Sequence, residues 1–162
     1  LQNKLTSQID NKHNLNKLIH ECLEYKISVI EIDEFDTGLR KLLNYGHTFG
    51  HALEITSEYT IPHGSAVIFG ILIVNDIMEE LNENNILDTK IIASIGEELI
   101  NHIKINKSWF DINKLIEIIK SDKKNNGQIN LVFPDTSVIF KLIKLEEDEI
   151  IRLCNSVFTR FL

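Results

Sequence analysis

Arg40, Asn44, His47 and His51 recur at intervals of three or four residues in the stretch LRKLLNYGHTFGHALE, Leu39 to Glu54. Their side chains are short or planar hydrogen-bonding groups that suit a bound ligand. Wound as one α-helix at about 100° per residue, the four fall in a wedge of about 60°, with Glu54 beside it. Leu42, Tyr45, Phe49, Ala52 and Leu53 gather on the opposite face. A solvated face is ordinarily filled with flexible Lys and Glu, and this stripe holds neither before Glu54. Gly46 and Gly50 each cost a helix roughly 1 kcal/mol relative to alanine. Their presence predicts close approach by another backbone or a ligand.

A histidine pair four apart is common as a surface coincidence and is no metal site by itself. Arg40 and Asn44 on the same stripe strengthen the case. So does His63 in a Pro-His-Gly turn, because a helix followed by a turn can return a third imidazole to the first two. Neutral imidazoles suit zinc, and a catalytic zinc takes three protein ligands and keeps one position open. His13, His20 and His102 lack such company and read as surface histidines. The stretch DKKNNG has two readings: a charged, exposed turn before a hairpin, or phosphate binding by Lys123 or Lys124 as mobile point charges. Lys26, near the end of its helix, reads by default as an exposed charge that suits the helix dipole.

Several elements must position these groups. Residues 11–26 carry Leu15, Leu18, Ile19, Cys22 and Leu23 at helical spacing, and SVIEID reads as a short strand-like or extended link. Asp33, Glu34, Asp36 and Thr37 supply an acidic N-terminus for the histidine-bearing helix, which runs to about Glu58. Pro62 breaks that pattern and suits the first turn of a new helix. From His63 to about Leu81 the chain is apolar on nearly every face before Asn75, as in a helix at the domain centre. Helical patterns follow over residues 88–102 and 111–120. QINLVF and SVIFKLI then form a hairpin across PDT, and residues 146–162 close the chain as an amphipathic helix. The predicted class is mainly α, a helical domain with one short β-hairpin.

The 162 residues suit one domain, and the 43% hydrophobic and 25% charged content is ordinary for a globular protein. A net charge of −7 and the lack of aromatic-basic interleaving argue against nucleic acid as a partner. The longest apolar run, Ala66 to Val74, is too short to span a bilayer, so no membrane association is expected. Cys22 and Cys154 match no metal or redox spacing and read as free thiols of a reducing compartment, the cytoplasm.

Taken together, KISVIEIDEFDTGLRKLLNYGHTFGHALE, IPHGSAV followed by FG, and DKKNNGQINLVF resemble the C-terminal half of the 3-dehydroquinate synthases, which are sugar phosphate cyclases. The resemblance runs from about Leu18 to Ile143, and the GHTxGHAxE block is its most specific part. It implies that His47 and His63 are metal ligands. It sets Asn44, His51 and a lysine of the Lys123-Lys124 pair around the substrate phosphate, and Lys26 and Arg40 on the substrate carboxylate, where a guanidinium can donate two parallel hydrogen bonds. The implied chemistry is cyclisation of a heptulosonate phosphate in aromatic amino acid biosynthesis, the shikimate pathway. It comprises oxidation of a secondary alcohol with NAD, loss of phosphate, return of the hydride, ring opening and aldol closure. His51 would assist proton transfer, and the metal, zinc or cobalt (imidazole suits iron as well), would stabilise developing negative charge.

The resemblance also implies a nucleotide-binding α/β domain upstream, with a glutamate as third metal ligand, and this chain has no dinucleotide fingerprint of its own. The expectation is an excised C-terminal domain that binds metal weakly and does not turn over substrate alone. Family members are commonly dimers, so a homodimer is implied as well. Two residues depart from the family pattern: Ser65 stands where an acid is common, and Asp36 where a glutamate is usual. The rival readings are another sugar phosphate cyclase making an inosose or valiolone ring, an iron-dependent alcohol dehydrogenase, and a non-catalytic metal-binding module.

Overall fold

The computed structural model describes residues 12–82, 89–121, 129–135 and 138–161. It divides into two compact units, Leu1–Leu43 and Asn44–Leu162. In the first unit, helix α1 spans Lys12–Ile32 and a 3-10 helix, Leu39–Asn44, ends at the boundary. α1 continues through SVIEI, where an extended link is expected from the β-branched residues. Helix propensity is a weak prior, and in this helix Val29 is buried. Lys26 therefore lies inside α1 rather than at its end.

The acidic run after α1 works through one side chain. The Asp33 carboxylate accepts hydrogen bonds from the backbone N–H groups of Thr37, Gly38 and Arg40 at 3.0, 2.7 and 3.0 Å, and from the Thr37 hydroxyl. The Thr37 N–H first, then those of Arg40 and Gly38, hold its pKa at about 2. Asp36 sits in this turn at φ 56, a left-handed conformation that aspartate tolerates better than most residues.

The second unit contains α2 (His47–Thr56), α3 (His63–Glu80), α4 (Thr89–Ile100), α5 (Ile112–Ser121) and α6 (Glu147–Val157), with short 3-10 turns at Lys107–Phe110 and Phe158–Arg160. Strands β1 (Ile129–Asp135) and β2 (Ile139–Leu145) pair antiparallel from Ile129↔Leu145 to Asp135↔Ile139. The mainly α class with one hairpin is what the sequence predicts. Pro134 and Asp135, expected in its turn, stay in β1, and Thr136 lies outside the described residues. A two-stranded sheet is all edge, so a proline without an N–H is tolerated there.

α3 is the central element, with Phe69, Leu72, Ile73, Ile77 and Met78 all fully buried. Phe49 and Leu53 of α2, Phe110, Leu115 of α5 and Phe158 complete the core. The rings of Phe69, Phe110 and Phe158 meet edge-on at 6.1 and 5.5 Å, an arrangement that the ring quadrupoles favour. Thr48 donates its hydroxyl to the Asn130 carbonyl at 3.1 Å and Thr56 to that of Trp109 at 2.9 Å, tying α2 to β1 and to the 3-10 turn. Cys154 is buried, which pushes its thiol up to about 12, and Cys22 is exposed; both are free. Among the described residues no helix is long and apolar enough to cross a membrane.

Candidate functional site

The histidine-bearing segment is not one helix. Gly46 interrupts it at φ 76, and α2 starts only at His47. The reason lies in α3. A Cβ added at Gly70 would come 1.9 Å from the Gly46 carbonyl oxygen and 2.8 Å from the Gly50 nitrogen. One added at Gly50 would come 3.0 Å from the Val67 Cα. The glycines thus answer to a second backbone crossing at near contact, the first of the two causes expected. The wedge joining Arg40 and Asn44 to the histidines along a single helix is accordingly not formed, since those two residues belong to the 3-10 helix. Tyr45, expected on the apolar back of that helix, instead occupies the turn and hydrogen-bonds through its hydroxyl to Asn75 of α3. Burial raises the tyrosine pKa well above its ordinary value.

After α2 the chain reverses sharply. Glu58 and Tyr59 take left-handed φ of 53 and 59, and Pro62 caps α3 at φ −59 and ψ 144. Non-glycine residues adopt such φ rarely, and here the result is a tight return that starts α3 with His63. The ring centroids of His47, His51 and His63 lie 5.3, 5.6 and 5.8 Å apart. One ligand nitrogen from each lies within 4.8 Å of the others.

The hydrogen bonds distinguish the three. His47 donates from Nδ1 to the Tyr45 carbonyl at 3.2 Å, and His63 donates from Nδ1 to Glu54 Oε2 at 3.0 Å. Each is left with Nε2 as its acceptor nitrogen. Among the described residues His51 has ring neighbours but no hydrogen-bond partner. Burial above all, and the neighbouring imidazoles, lower the pKa of His47 and favour the neutral form that takes a metal.

The donor set fits a zinc-like ion. Ligand nitrogens around a tetrahedral ion stand roughly 3.3 Å apart at metal–nitrogen distances of about 2.0–2.1 Å, so the rings would move inward to share one. Anchored Nδ1 atoms are the usual companions of Nε2 ligation. Asn44 is half-buried in the same unit as the histidines. In the first unit Lys26 is exposed, and Arg40 donates from Nη1 to the Glu34 carbonyl at 2.8 Å. Neither cation makes an ion pair with a described residue. Lys123 and Lys124 lie outside the described residues, as does the His13 side chain. His20 and His102 are exposed, as expected.

Sequence reasoning missed the work of Glu54, Tyr45, Asn75 and Thr48. Glu54 alone carried a signal, seven residues after His47 on the same helix face.

Comparison with known proteins bears on the family and the fold. The model of the family described as 3-dehydroquinate synthase C-terminal matches residues 1–125. A 3-dehydroquinate synthase of Enterococcus faecalis is 31% identical over 150 residues, covering 89% of this chain and 41% of its own length. One from Clostridium perfringens is 40% identical over 127 residues, covering 76% and 35%. The chain thus spans well under half the length of these relatives. The fold matches that of 2-deoxy-scyllo-inosose synthase, solved with carbaglucose-6-phosphate, NAD+ and Co2+. The TM-score is 0.69 and the identity 21%, over 89% of this chain and 41% of that one. By the family match over most of its length, the chain belongs to the 3-dehydroquinate synthase C-terminal family.

Proposed function

We propose that this chain supplies the metal- and substrate-binding half of a 3-dehydroquinate synthase, acting with a nucleotide-binding domain that carries NAD. The observation that supports it best is the histidine cluster in which two imidazoles are anchored through Nδ1 and the third has no hydrogen-bond partner among the described residues. In this reading His47 and His63 hold a zinc or cobalt ion. When bound, the metal lowers the pKa of substrate hydroxyls and stabilises developing negative charge. His51, unanchored and exposed, contacts the phosphate and moves protons, with Asn44 and a lysine of Lys123-Lys124 on the phosphate oxygens. Lys26 and Arg40 take the substrate carboxylate. Arg40 enters with the Nη1 bond to Glu34 steadying its guanidinium and further N–H groups to donate.

The experiment is an assay of a polypeptide that joins this chain to a nucleotide-binding domain, with a carboxylated heptulosonate phosphate and an uncarboxylated hexose phosphate as substrates. Turnover of the first and loss of it in R40A and K26A are expected. Turnover of the second, unaffected by R40A and K26A, would move the assignment to an inosose-type cyclase. The 162-residue chain without the nucleotide-binding domain is expected to be inactive.

A further inference from the structure

The arrangement around His63 has a second half. His63 opens α3 after a left-handed turn, and its side chain is 57% exposed, so packing does little to orient the ring. Its Nδ1 is nonetheless engaged by a Glu54 carboxylate that is only 15% exposed and projects from α2, a rigid helix packed on the core. His47, His51 and Glu54 stand on one face of that helix, four and then three residues apart. The same face therefore carries two imidazoles of the cluster and the acid that grips the third, arriving from α3.

The contrast with a second pair is informative. His20 and Glu24 also pair, at 3.2 Å, but both are more than 60% exposed, both lie on α1, and neither belongs to a cluster of potential ligands. That pair has the marks of an ordinary helix-surface contact. Glu54 bridges two elements and meets an imidazole of the cluster that has no other hydrogen-bond partner among the described residues.

We infer that Glu54 is a positioning residue: its carboxylate locks His63 in the Nδ1–H tautomer and turns Nε2 toward the metal. The inference rests on the metal reading of His47 and His63. An acceptor at Nδ1 fixes the ring, raises the basicity of the other nitrogen, and removes the need to choose a tautomer when the ion arrives. His47 obtains the same service from a main-chain carbonyl, whose position depends on the Tyr45–Gly46 turn rather than on a side chain.

The test uses the 162-residue chain with Co2+ alone as the probe, followed by visible absorption, and nitrogen NMR of the metal-free protein to read the His63 tautomer. E54A is expected to weaken Co2+ binding by about 10–100-fold and to mix the two His63 tautomers. E54Q, whose amide oxygen still accepts from Nδ1, should recover the tautomer and part of the affinity. H47A and H63A should lose binding. If E54A binds Co2+ as wild type does while H63A fails to, Glu54 has no such role and the metal reading stands. If H47A and H63A both bind as wild type does, the metal reading falls and takes the inference with it. Should E54A fail to fold, E54Q and E54D decide by the same readouts. E54D, one methylene short, is expected to lose the single tautomer, and wild-type tautomer and affinity in both variants would overturn the role.

Discussion

Two regions of this protein present candidate ligand-binding side chains, and they are built by different means. The histidines of the second unit ride on a crossing of α2 and α3 so close that Gly46, Gly50 and Gly70 share it without room for a Cβ at Gly46 or Gly70. Arg40 in the first unit rides on a 3-10 helix whose start is organised by one carboxylate, Asp33, taking three backbone N–H groups. Backbone contact gives the first region a geometry fixed by volume exclusion, insensitive to pH. Capping gives the second a geometry that depends on one ionised side chain. Under the proposed roles, metal ligands tolerate little misplacement, an arginine that reaches a carboxylate through a long side chain tolerates more, and the two constructions would match those needs.

The sharpest way to break the contrast is at Gly70. G70A puts a methyl group into the Gly46 carbonyl, and neither backbone can yield without moving the whole helix. It is expected to cost about 3 kcal/mol or more, seen as a drop in Tm of roughly 10 °C, or to prevent folding. A melt within a degree or two of wild type would show that the crossing is not set by contact.

Next comes Y45F. It leaves Asn75, 4% exposed and with no described partner for its Nδ2, without the tyrosine hydroxyl as well. A cost of about 1–3 kcal/mol follows from stranding a buried amide, measurable by urea unfolding. Because His47 is anchored by the Tyr45 main-chain carbonyl, which Y45F keeps, Co2+ binding should weaken no more than the stability loss alone would give.

A smaller effect belongs to D33N, and it carries the pH signature of the capped region around Arg40. The Asp33 carboxyl sits at about 2 against an ordinary 3.8, so its stabilisation is complete above the higher value and is lost as pH falls through the lower. Wild type should exceed D33N in urea midpoint at neutral pH, and the two should converge on acidification across that window. A gap that persists at the acid end would mean that the caps do not act through ionisation. Smallest of all, G64A meets no atom within 4 Å, and is expected to stabilise by up to about 1 kcal/mol through helix propensity, the opposite sign to G70A in the same helix. A destabilised G64A would erase the distinction between a crossing glycine and a free one.

Much of this was legible from the chain alone. The near-continuous apolar run after His63 marked α3 as central, because only a helix surrounded by others has no polar face. Phe49, Ala52 and Leu53 were placed on the buried side of α2 by period alone. The approach of a second backbone was legible in Gly46 and Gly50. The family resemblance rested on a block of spaced histidines and glycines, and the family match bears it out. Less legible was the path of α1, whose Val29 and Ile30 have strand-like propensity yet stay helical. The apolar residues of that helix also keep much of their exposure: Leu15, Leu18, Ile19 and Leu23 are 38–51% exposed, so amphipathic spacing did not equate to burial there.

By itself the sequence determined which residue types recur at helical and strand periods, and hence the mainly α class, the central helix, the hairpin and the family. Those are local properties, written in spacing and propensity. Only the tertiary structure decided where the histidine-bearing helix begins, because the left-handed turn at Gly46 is set by α3 meeting it more than twenty residues later. The return of His63 to His47 and His51 was an expectation of the sequence that the structure realised, and the structure alone gave its Nδ1 to Glu54. A helical wheel cannot contain that contact, because its two partners lie on different helices joined by a reversal whose φ values no local propensity favours.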